Sequence, residues 1–75
     1  VSTMEEVINI GVANYRRYYN YSQERFANLI GKNRRTYALK EKGIVKFSPE
    51  EMKIIRDELR QYDKGLTIDK IFFEE

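Results

Sequence analysis

The sequence predicts an all-α domain, a bundle of four or five short helices, and three observations predict it. Apolar residues recur at spacings of three and four along most of the chain, the repeat of helices with one buried face. Residues that start helices (Ser, Thr, Asn and one Ser-Pro pair) alternate with residues that stop them (Asn20, Gly31, Gly43, Gly65), so each periodic stretch has its own limits. The 75 residues are read as one domain over 1–75. A chain of this size buries only about 60% of the surface its unfolded form exposes, so it needs well-packed helices or a partner.

The first helix is marked by Met4, Val7, Ile8, Val12 and Tyr15, with Ser2 and Thr3 as candidate caps and Glu5 and Glu6 each three residues further on. It is expected to run from about Met4 to about Tyr19. Gly11 either stays in it, at about 1 kcal/mol relative to Ala, or divides it in two; Asn20 suits a left-handed end. Ser22 caps a second helix of about Gln23 to Ile30, with Phe26, Ala27, Leu29 and Ile30 as its buried stripe and Gly31 as its stop. Asn33 caps a third, roughly Arg34 to Lys42, with Tyr37 inward and Gly43 at its end. Ser48-Pro49-Glu50-Glu51 is the strongest start signal in the chain: a capping residue, proline at the first helical position, and a Glu that completes the S-x-x-E box. The fourth helix shows Met52, Ile55, Leu59 and Tyr62 on one face and ends at Asp63-Lys64-Gly65. The tail from Leu66, with Ile68, Ile71, Phe72 and Phe73, forms either a short fifth helix capped by Thr67 or an extended segment.

Composition removes several functions. With no Cys and no His, disulfides, thiolate metal sites, the usual zinc sets and imidazole catalysis are unavailable, and a reducing compartment is the natural home. No run approaches the roughly 18 apolar residues that span a bilayer, and the N-terminal stretch is acidic where a signal peptide would be basic, so a cytoplasmic location is expected. Glu50/Glu51 and Glu74/Glu75 could suggest acid–base or metal chemistry, but the first pair serves a helix start and the second a terminus. There is no nucleophile–base arrangement and no cofactor loop, so no enzyme, cofactor, metal or small-molecule ligand is expected.

The net charge of +2 conceals a segregated pattern. Residues 1–15 carry two acids. Residues 16–46 carry nine bases against Glu24 and Glu41, a net of +7, and residues 47–75 five bases against eight acids. The basic centre coincides with the second and third helices, the footprint of a nucleic-acid surface.

The same segment carries a specific spacing. Two short helices joined by a tight turn need a small residue where they cross, a glycine for positive φ in the turn, and apolar anchors beneath both. Ala27, Gly31 and the trio Phe26, Ile30 and Tyr37 fill these roles. The stretch 22–42 therefore resembles the helix-turn-helix of the lambda repressor and Cro-like (Xre-type) family, and the resemblance runs without a gap over about Val12 to Gly43. Lys32 and Lys40 stand where that family commonly has apolar residues. The run Arg34 to Lys40, with Val45 to Met52 and Ile71-Phe72-Phe73, looks most like small Cro-like regulators of Gram-positive phages and mobile elements, in which a Lys at the position of Lys40 is not unusual.

The resemblance implies a lambda-repressor-like bundle that binds a double-stranded DNA operator, with the second helix across the backbone and the third in the major groove. Arg34 and Arg35, opening the third helix, are candidates for bidentate contact to guanine, or are simply solvated. Gln23 would place its amide and a backbone N–H near a phosphate; the family uses a Gln there for DNA contact. Asn33 is a cap first and a DNA neighbour second. Thr36, Ala38 and Leu39 lie further along, the last two able to touch a thymine methyl, although Leu39 could equally be core, since the residues leave open whether Leu39 or Lys40 faces inward. Lys32, Lys42 and Lys46 suit phosphate contact. Arg16 and Glu41 occupy positions where relatives pair the first helix with the end of the third through a partly buried salt bridge.

Tyr15, Tyr18, Tyr19 and Tyr21 could suggest base stacking on single strands, but helical spacing makes Tyr15 and Tyr21 core, with Tyr18 or Tyr19 exposed. The expected function is transcriptional regulation by operator occupancy, as a two-fold dimer on half-sites about one helical turn apart. Activator and antirepressor roles stay open. The alternative of another class is a protein-interaction module that docks a partner through the apolar tail; RNA binding ranks third.

Overall fold

A computed structural model describes residues 10–73, and every element in it is helical: α1 (Ile10–Tyr18), α2 (Gln23–Leu29), α3 (Arg34–Glu41), α4 (Pro49–Arg60) and a last, wide π-type turn, α5 (Asp69–Phe73). There is no strand among the described residues, and no helix there is long and apolar enough to cross a membrane. The expected beginning of the first helix at Met4, with its Ser2 and Thr3 caps, lies outside the described residues. Gly11 does not interrupt α1 within them.

Each later boundary follows from a cap. Asn20 takes a left-handed φ of 65° and ends α1 with the Tyr21 N–H donating to the Arg16 carbonyl at 2.9 Å. The hydroxyl of Ser22 accepts from the Arg25 N–H at 3.0 Å and the Asn33 Oδ1 from the Thr36 N–H at 2.8 Å, so both short helices begin on a side-chain acceptor. Gly31, at φ 72°, turns the chain between them in a conformation that a side chain would strain. Ser48 and Glu51 form the reciprocal capping box of α4, with Pro49 first in the helix. The tail resolves in favour of a helix: the Thr67 hydroxyl accepts from the Lys70 N–H at 3.2 Å and its carbonyl from the Ile71 N–H at 3.1 Å.

The core is Val12, Tyr21, Phe26, Ala27, Ile30, Tyr37, Phe47, Ile55, Leu59, Leu66, Ile71 and Phe72. α2 packs chiefly on α3, with Ala27 fully buried, and α1 on α5. A chain of ring contacts runs from Tyr19 to Tyr62 (4.7 Å between centroids, stacked), then Tyr21, Phe26, Tyr37, Phe47 and Phe72, and so links α2, α3 and α5 with the segments that follow α1 and α4. Tyr15, Leu29 and Met52 are only partly buried against this core, and Tyr62, read as part of the apolar face of α4, is 53% exposed. Its ring serves as a lid on Tyr19, and its hydroxyl lies 2.9 Å from that of Tyr21. The tail residues offered to a partner in the alternative reading are mostly used internally: Ile71 and Phe72 are buried and Phe73 alone of the three is exposed.

Gly11 is where α1 and α5 meet most closely. A Cβ there would stand 2.5 Å from the Ile71 carbonyl oxygen, and a backbone atom cannot rotate aside as a side chain can. Gly11→Ala gains about 1 kcal/mol of helix propensity, but overpacking of this kind typically costs about 1–3 kcal/mol. We expect the second effect to win, with a net loss in a urea titration and the tail lifted from α1; a more stable variant would show that the contact is dispensable.

Candidate nucleic-acid interface

Of the nine bases in residues 16–46, two are removed from the surface: Arg16 is 8% exposed and Lys40 is 5% exposed. The other seven, Arg17, Arg25, Lys32, Arg34, Arg35, Lys42 and Lys46, are exposed. Arg25 lies over the Tyr21 ring, 5.1 Å from its centroid, and loosely against Glu58 at 3.9 Å. Among the described residues, no carboxylate is within salt-bridge distance of Lys32, Arg34, Arg35, Lys42 or Lys46. These five flank α3: Lys32 in the turn before it, Arg34 and Arg35 in its first turn, Lys42 at its C-cap and Lys46 in the loop beyond.

Beneath this surface, Glu41 binds three elements together. Its Oε2 accepts from Arg16 Nε and from the Tyr37 hydroxyl, both at 2.7 Å, and its Oε1 from Gln23 Nε2 at 3.0 Å and Arg16 Nη2 at 3.5 Å. Arg16 Nη1 donates in turn to the Tyr21 carbonyl at 2.8 Å. The Arg16 and Glu41 side chains are 9% and 8% exposed, so this is a buried pair and not a surface one. Burial alone would raise the Glu41 carboxyl; the bonds from Arg16, Tyr37 and Gln23 and the Arg16 charge outweigh it and hold its pKa below the ordinary carboxylate value. The same burial and the bond to Glu41 push the Tyr37 phenol up.

A second buried pair fixes the far end of α3. Lys40 Nζ donates to Glu51 Oε1 and to the Lys46 carbonyl, both at 2.9 Å, and lies 5.8 Å from the centroid of the Phe47 ring. Glu51 Oε1 also accepts the Ser48 N–H, so one oxygen serves both the capping box and the ion pair. Here too burial is outweighed, by the Ser48 N–H and then by Lys40, and the Glu51 pKa is lowered. The loop that carries Lys46 is therefore held to α3 and α4 by a buried ammonium.

The remaining candidates divide. Asn33 is exposed but its Oδ1 is engaged as a cap. Thr36, Ala38 and Leu39 are partly buried on α3, and between Leu39 and Lys40 it is Lys40 that points into the core. Gln23 is partly buried, and one N–H of its amide is donated to Glu41. Neither the Gln23–Glu41 bond nor the Lys40–Glu51 pair was foreseen from the residues. The sequence signals for the second are that Lys40 stands three residues after Tyr37, on the same face of α3, and at a position where the resembled family commonly has an apolar residue.

No family model matches the chain, and neither a curated protein nor a solved structure matches it.

Proposed function

We propose that the protein is a sequence-specific, double-stranded DNA-binding transcriptional regulator of the Cro or repressor type that acts by occupying an operator. The observation that carries this reading is the cluster of exposed bases around α3, none within salt-bridge distance of a carboxylate among the described residues, on a helix whose other face is locked by Tyr37, Lys40 and Glu41. In this reading α2, the Gly31 turn and α3 are a helix-turn-helix. α2 crosses the backbone, α3 enters the major groove, and a two-fold dimer meets half-sites about one helical turn apart. Arg34 and Arg35 read base edges, with Ala38 and Leu39 toward a thymine methyl, while Lys32, Lys42 and Lys46 meet phosphates. A regulator carried by a phage or mobile element, as the sequence resemblance implies, fits a domain with this layout. The partner-docking alternative is weakened by the burial of Ile71 and Phe72.

Selection from a random duplex pool followed by mobility-shift titration tests the proposal. With about six phosphates neutralised, log affinity should fall against log salt with a slope near −5. Arg34→Ala or Arg35→Ala should flatten base preference at one or two operator positions, whereas Lys46→Ala should weaken all sequences alike. A pool that yields no enriched sequence at low salt overturns the reading.

A further inference from the structure

We infer that the cleft between α1, the turn after α4 and α5 is a binding site for a small zwitterion with an aromatic body, its ammonium taken by Asp63 and the rings of Tyr15, Tyr18 and Tyr19, and its carboxylate by Lys70. The site shares no residue with the bases around α3 and is independent of the DNA-binding reading.

The cleft has a volume of about 530 Å³, within the roughly 300–1,000 Å³ of small-molecule sites, and three separate parts of the chain meet at it. Tyr15 and Tyr18 stand three residues apart on α1, with Tyr19 just past its end. The Tyr18 and Tyr19 rings form a corner, at 89° with centroids 4.8 Å apart, and Tyr19 is backed by the stacked ring of Tyr62. Tyr18 is 77% exposed, so one wall of this corner is an aromatic surface that nothing covers. Among the described residues, no group hydrogen-bonds the hydroxyls of Tyr15, Tyr18 or Tyr19. Ring faces of this kind attract ammonium groups, and their edges pack against other rings.

The charges at the cleft define the ligand further. Asp63 and Lys70 both line it, yet neither makes a salt bridge with the other or with any other group among the described residues. Asp63 is fixed by its own turn, in which Oδ1 accepts the Gly65 N–H at 2.9 Å. Its charge reaches the rings: partial burial first, and then the Asp63 carboxylate, raise the Tyr19 phenol above its ordinary value. A cation alone would gain Asp63 and the ring faces but meet Lys70, and an anion alone would gain Lys70 but meet Asp63. A molecule that carries both charges on a ring-bearing body answers all three features. The lack of a cofactor loop and of a nucleophile–base pair, which argues against a ligand in the sequence, has no bearing on a site of this kind.

NMR titration with three compounds tests this: L-phenylalanine, phenethylamine, which lacks the carboxylate, and hydrocinnamate, which lacks the ammonium. L-phenylalanine should give saturable shifts centred on the three tyrosines, Asp63 and Lys70, and each single-charge analogue should bind about fivefold more weakly, the loss expected for one exposed ion contact. Asp63→Asn, whose Oδ1 can still accept the Gly65 N–H, should remove the advantage of L-phenylalanine over hydrocinnamate. Lys70→Met should remove its advantage over phenethylamine. Both replaced side chains are exposed, so both variants should fold. Equal binding of the three compounds, or an advantage that survives both substitutions, overturns the zwitterion; shifts that stay linear up to the solubility limit of L-phenylalanine overturn the site. Neither outcome depends on DNA, so failure here and failure of the DNA-binding reading are told apart.

Discussion

Replacing Glu41 with Ala is expected to destabilise the protein by about 3–5 kcal/mol, a large share of the roughly 4–11 kcal/mol expected for a domain of this size. The reason is what the substitution leaves behind. Arg16 is held at 8% exposure by the fold, and without Glu41 its guanidinium keeps, among the described residues, only the Tyr21 carbonyl. The Tyr37 hydroxyl loses its acceptor in the same step, and an unsatisfied buried hydroxyl adds about 1–3 kcal/mol in its own right, part of it already within the first figure. Urea unfolding at neutral pH measures the loss; a cost below about 1 kcal/mol, the range of surface pairs, would mean that water reaches Arg16 freely. Acid should act in the same direction. The folded pKa of Glu41 lies below its unfolded value of about 4.3, so the unfolded chain takes up protons first as pH falls. The stabilisation is complete above that unfolded value and is lost as pH drops through the lower, folded one. An unfolding midpoint that stays constant from pH 6 to pH 3 would contradict this.

Glu51→Ala should be nearly as damaging, also about 3–5 kcal/mol, because one oxygen performs two tasks. Its loss breaks the buried ion pair in which the Glu51 carboxylate stands 2.9 Å from the Lys40 ammonium and removes half of the capping box, a feature typically worth about 1 kcal/mol. Lys40→Met makes the informative comparison. It takes away the buried cation, fills similar volume against Phe47, and leaves Glu51 and the capping box on the Ser48 N–H, so it should cost less than Glu51→Ala. Thermal melts of the two variants side by side decide the point. Equal losses would mean that the Lys40–Glu51 pair, which both variants remove, dominates, and not the cap, which Glu51→Ala alone removes.

How far these features can be read from residues alone depends on how local their causes are. Caps are local, so the starts of α2, α3 and α4 follow from Ser22, Asn33 and Ser48-Pro49, each acting on a backbone N–H three residues away. Asn20 and Gly31 are likewise legible, since a left-handed φ is a property of single residue types. Periodicity placed Tyr37 and Ile55 inward and misjudged Tyr62, because a spacing of three or four says which face a residue occupies but not whether anything covers it. The burial of Lys40 stood open against that of Leu39, and its partner escaped: Glu51 was already accounted for as a cap, and nothing in a helical repeat announces that one carboxylate will take both a backbone N–H and an ammonium. The bond between Gln23 and Glu41 joins positions on two helices, and only their packing brings it about. At the candidate site, then, the exposed bases could be listed from the sequence, and the groups that hold them in place could not.

The close approach of Gly11 to the Ile71 carbonyl bears on when this protein can fold as well as on how firmly. Synthesis delivers α1 first and α5 last, yet α5 supplies Ile71 and Phe72 to the core and is one of the main surfaces against which α1 packs. A nascent chain holding only α1 to α4 has Phe47 without Phe72 beside it and α1 without its neighbour. Local helices can form early, but the contact that closes the bundle joins distant parts of the chain and has to await the synthesis of α5. Folding of this domain should therefore be completed only once α5 has been made.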